Sequence, residues 1–159
     1  WLWLVVRLYV GWEWLVAGWG KIGNPAWTGD QAGVAITGFL NGALAKTAGL
    51  HPDVQGWYAT FLKSAVLSYP VARSYAVAWG ELLVGIALIL GFLTGIAAFF
   101  GVLMNLNYLL AGTVSTNPTL FVLGLGILMA WKVAGYIGLD RYVLPKLGTP
   151  WQPGEVFER

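Results

Sequence analysis

The residues of this 159-residue chain best able to do chemistry are charges set in apolar sequence: Arg7 and Glu13 in one stretch, Arg73 and Glu81 in another. A charge in hydrocarbon is expensive, so it marks a ligand site, a proton path or a buried ion pair. If the two stretches are antiparallel helices measured from a shared face, Arg73 lies about 3 Å deep, Glu13 about 10 Å, Glu81 about 15 Å and Arg7 about 20 Å. The signs interleave. On the same scale Asn107 and Asn105 fall at about 7 and 10 Å, and Trp12 and Trp79 at about 12 Å. Glu81, Glu13 and Arg73 are therefore the candidate catalytic residues for proton and charge handling. Trp12, Trp79, Asn105, Asn107 and Arg7 are the candidate binding residues of a cavity for a polar headgroup. The same two Arg and two Glu could instead neutralise one another as structural pairs, and helix-borne asparagines often bond to neighbouring helices. In either case Glu81 is expected within direct or water-bridged reach of at least one cation, Arg7 or Arg73 foremost.

Other chemistry is thinly represented. The chain has no cysteine and one histidine, His51, which precedes Pro52 in a turn. Thiolate metal sites, iron–sulfur clusters and a bis-histidine haem are excluded, and no bound metal is expected. No nucleophile stands beside a base. A net charge of +2 is too small for nucleic-acid binding and suits loops that face lipid headgroups. Asp140 and Arg141 read as a local pair where the last helix exits.

The elements that must position these residues follow from composition. Hydrophobic residues make up 58% of the chain and charged ones 10%, and the mean hydropathy is +0.68. Such a chain belongs in a bilayer. No charge occurs between Leu82 and Trp131, a run long enough for two spans and their turns. The pattern predicts an all-α integral membrane fold, a four-transmembrane-helix bundle with spans at about 2–20, 71–93, 96–111 and 119–137. Residues 21–70 form an interfacial helical cap between the first two spans. Within it, Thr28 and Gln31 make a capping-box pair ahead of the stripe Ile36, Phe39, Leu40, Ala43 and Leu44, and Trp57, Phe61, Leu62 and Ala65 make a second stripe. Glycines such as Gly80, Gly85, Gly91 and Gly95 are read as sites of close helix packing. The opening stretch is a poor signal peptide, since Arg7 and Glu13 interrupt its apolar run.

At GWEWLVAGWGKI (Gly11 to Ile22), at Glu81 with the GIALILGFLTG that follows, at NLNYLLAG with Asn117 and Pro118, and at AGYIGLDRYVLP (Ala134 to Pro145), the sequence resembles the DoxX/DoxD family of small four-helix prokaryotic membrane proteins. The resemblance makes residues 1–147 a single domain and 148–159 a tail. It implies quinone-linked redox work: DoxD-like proteins form the large subunit of thiosulfate:quinone oxidoreductase beside a small DoxA-like subunit. On that analogy an exchangeable quinone is the ligand, other membrane subunits are partners, and the location is the prokaryotic cytoplasmic membrane. A second reading is a non-catalytic accessory subunit on the rim of a larger respiratory or photosynthetic complex.

Overall fold

The structure is a computed structural model that describes residues 1–148, and these are helical with no strand among them. Most of the expected tail therefore lies outside the described residues. Helix α1 (Leu2–Ile22) runs antiparallel to α5 (Pro70–Leu90), the most intimate pairing in the molecule. Glycines permit it. A Cβ on Gly18 would overlap the backbone nitrogen of Leu82, and one on Gly85 would overlap that of Leu15, so the two backbones touch without intervening side chains. Gly91, in the left-handed region at φ 63°, ends α5 and starts the tight turn into α6 (Thr94–Leu110), which packs along α7 (Asn117–Met129).

Of these helices α5 is long and apolar enough to cross a membrane, whereas α6 and α7 are shorter apolar helices. The expected fourth span at 119–137 is broken. Ala130 leaves helical geometry (φ −100°, ψ 24°), and the chain continues as the short α8 (Trp131–Ala134) and then α9 (Asp140–Lys146). Outward positions such as Ile96, Phe99, Val122 and Met129 stay exposed although apolar. That inversion suits a lipid environment.

The cap comprises α2 (Pro25–Thr28), α3 (Val34–Ala45) and α4 (Gly56–Phe61), the last continued by a π-helical turn, Leu62–Val66. Its own core joins Ile36, Leu40, Ala43, Val54, Tyr58 and Leu62 to Ala111 at the end of α6. Two details differ from the sequence reading. There is no Thr28–Gln31 box: Thr28 ends α2, its hydroxyl donating to Ile22 O at 2.7 Å, while α2 is capped by Asn24 and α3 begins after Gly33. The second stripe is rotated, because Trp57 and Phe61 are exposed and Tyr58, Ala59 and Leu62 point inward. Tyr58 turns in because its hydroxyl finds partners on α6.

The end opposite the cap is closed by polar groups that satisfy backbone. Arg7 is buried and donates from Nη1 to Leu88 O (2.8 Å) and from Nη2 to Ile137 O (2.6 Å). Asp140 accepts from the backbone N–H groups of Leu93 and Thr94, the first turn of α6. It thus caps a helix instead of pairing with Arg141, whose guanidinium lies over the Tyr136 and Tyr142 rings. A carboxylate that accepts from two orphan N–H groups at a helix start is better satisfied than one paired to a solvated neighbour.

Candidate functional site

A cavity of about 1030 Å³ opens at the cap end, between the inner faces of α1, α5 and α6, the start of α7 and the underside of the cap. Its walls are chiefly apolar. The polar groups converge on Glu81, which is 1% exposed: Lys21 Nζ donates to Oε2 at 2.6 Å and Tyr108 OH donates to Oε1 at 2.5 Å. The ammonium also lies 5.2 Å from the Trp27 ring centroid, so α2 helps to hold it. Beyond this group, Tyr58 OH donates to Asn107 Oδ1 at 2.9 Å and Asn107 Nδ2 to Leu103 O at 2.7 Å. Burial raises the Tyr58 hydroxyl to a pKa of about 12, so it remains a donor at any physiological pH.

Glu81 does have the expected cation within direct reach, but it is Lys21 and neither Arg7 nor Arg73. Arg7 is at the far end, bound to carbonyls, and does not line the cavity. Arg73 lines the mouth but is exposed, its Nε donating to Ala65 O at 3.2 Å. Glu13 and Asn107 line the cavity as well, and Glu13 has no ion pair among the described residues. Asn105 is buried outside the lining, with neither carboxamide atom bonded. Trp12 and Trp79 face outward, 59% and 47% exposed, and do not wall the cavity. Depth along a helix does not reveal direction: the buried residues of α1 are Arg7, Val10, Gly11, Trp14 and Gly18, which turns Trp12 away.

Sequence reasoning missed Lys21, Tyr108 and Tyr58. The sequence pattern puts Lys21 in the connection, but α1 runs to Ile22 and carries the ammonium back over Glu81. The usable signal was Glu13, Ala17 and Lys21 at spacings of four, one face of one helix, all three lining the cavity. Tyr108 had its own sign, a hydroxyl in an apolar helix that needs a partner once buried.

An all-helical bundle with exposed apolar flanks is the architecture of a membrane protein, and this one encloses a chiefly apolar cavity that ends on a buried acid–ammonium–phenol group. The DoxX family profile matches residues 2–113, and the chain belongs to that family of membrane proteins. No curated protein and no solved structure matches it. The match takes in α1 through α6 and the cap, which supply the Glu81 group; α7 to α9 lie beyond it.

Proposed function

We propose that the chain is a quinone-linked redox subunit of a prokaryotic cytoplasmic membrane, with the cap-end cavity as its quinone site. The observation that carries the reading is a large apolar space ending on an acid, an ammonium and a phenol that bond to one another. A quinone is an apolar ring and tail with carbonyl oxygens that accept hydrogen bonds, and those residues fit it. Reduction to the quinol takes two electrons and two protons. Lys21 Nζ keeps hydrogens beyond the one given to Glu81, and one of these can be offered to a carbonyl oxygen. The Glu81 carboxylate balances the ammonium, orients the Tyr108 hydroxyl and is the group through which both can be reprotonated. Burial of the Glu81 carboxylate strengthens these bonds.

Electrons must come from a donor and carrier outside this chain, since its side chains include no thiol. Thiosulfate, as in the DoxD-like large subunit, is the donor proposed, with a small DoxA-like subunit as the partner that handles it.

The test is donor-driven quinone reduction in membranes of matched protein abundance. Glu81→Gln keeps shape and removes the charge, and turnover is expected to fall about 100-fold with assembly intact. Tyr108→Phe should fall in the same direction. His51→Ala is the control, because His51 lies exposed in the connection between α3 and α4. Equal turnover in Glu81→Gln and wild type overturns the proton role. Absence of quinone reduction with every partner combination leaves the chain an accessory subunit.

A further inference from the structure

The quinone contacts leave Glu13 unused. Its carboxylate lines the cavity about 12 Å along α1 from Lys21 and has no hydrogen bond or ion pair among the described residues. Lys21, the cation inside the cavity, is already bonded to Glu81, and Arg73 sits exposed at the mouth. Of the four charged residues that line the cavity, the half-buried Glu13 is therefore left without a counter-charge beside it. A carboxylate in hydrocarbon calls for a counter-charge.

The aromatic walls of the same cavity favour a positive guest as well. Trp14 follows Glu13 in the chain and also lines the cavity, its ring centroid 6.3 Å from that of Tyr108. Phe39 of the cap meets Tyr108 edge-on at 6.2 Å. These rings make a continuous aromatic wall from the bundle to the cap, and ring faces attract cations by their quadrupoles. An anionic amphiphile meets the opposite: a free carboxylate, electron-rich faces and no unpaired ammonium inside.

We propose that this cavity binds lipophilic organic cations, a positive charge on an apolar body, with Glu13 as counter-charge and the Trp14, Tyr108 and Phe39 rings as the cradle. A lipid with a phosphate beside its amine fits less well, because nothing inside is free to balance the phosphate. The proposal stands apart from the quinone reading, which gives Glu13 no role.

The probe is tetraphenylphosphonium, with tetraphenylborate as an anion of the same shape. Binding to the full chain in an uncharged detergent is measured by equilibrium dialysis against protein-free micelles. Tetraphenylphosphonium is expected to bind saturably, and tetraphenylborate at least about tenfold more weakly. Glu13→Gln should weaken tetraphenylphosphonium by about tenfold or more, and Glu13→Asp should keep most of the affinity. Equal affinity for the two ions, or wild-type binding by Glu13→Gln, overturns the proposal. The two-ion comparison uses the unaltered chain, so it decides the matter even if a variant does not fold. Cation binding without quinone reduction would sink the quinone reading alone, and the reverse result would sink this one alone.

Discussion

Asp140 and Glu81 are both buried carboxylates, and their partners give them different work. Asp140 is spent on backbone N–H groups at the start of α6, which also hold Leu93 at φ 47°. Removing it leaves those donors unsatisfied where water is scarce. Asp140→Ala is expected to destabilise the protein by about 1–3 kcal/mol, and Asp140→Asn by less, as read from thermal unfolding in detergent. Glu81 instead faces a cavity and holds two side-chain donors, which suits chemistry. Tyr58 supplies a pH test in the cap. Its raised pKa means that the folded state keeps the proton which an unfolded tyrosine loses near pH 10, so stability is full below pH 10 and falls as pH rises toward about 12. Titration of the tyrosinate absorbance alongside unfolding checks this, and Tyr58→Phe should flatten the dependence.

At the scale of elements, the α1–α5 contact is the one that small residues make possible. Gly18 and Gly20 lie two residues apart on α1, yet a Cβ at Gly18 strikes the α5 backbone and a Cβ at Gly20 meets nothing within 4 Å. Gly18→Ala is expected to cost about 1–3 kcal/mol through overpacking. Gly20→Ala should be neutral or stabilising by about 0.5–1 kcal/mol, because alanine favours the helix. Melting of the two variants in one detergent checks the pair, and equal shifts would contradict the packing. The same contact carries Lys21 to Glu81, so Gly18→Ala should also weaken the ion pair at the cavity. The cap is fastened separately, by Lys46 Nζ donating to Gly112 O at 2.6 Å and by Ser74 Oγ donating to Trp27 O at 2.7 Å.

For the molecule as a whole, the two ends divide structure from chemistry. At the far end the polar groups are committed to backbone; at the cap end they face open space. Arg7 reaches two carbonyls on different segments with the two arms of its guanidinium, a geometry that lysine cannot copy. Arg7→Lys is therefore expected to lose about 1–3 kcal/mol of stability in denaturant titration, although the charge is retained. Recovery of wild-type stability by lysine would show that charge, and not the fork, holds this end.

The sequence by itself determined the helical class, the first three apolar helices near their observed bounds, the folded character of the 21–70 connection and the placing of Glu81 as a charge embedded among apolar residues. These follow from composition and local periodicity, which need only neighbouring residues. It did not determine which charges meet. Depth counting gave each residue one coordinate and left its direction around the helix open, so Trp12 and Trp79 were placed inside and Lys21 outside. The break at Ala130, the capping role of Asp140 and the bond from Tyr108 to Glu81 depend on partners 27 to 47 residues or more away, or on how α8 and α9 fold back. Only the tertiary structure decides such pairings, because hydrogen bonds are short and directional, whereas hydrophobic patterning selects a face without selecting its neighbour.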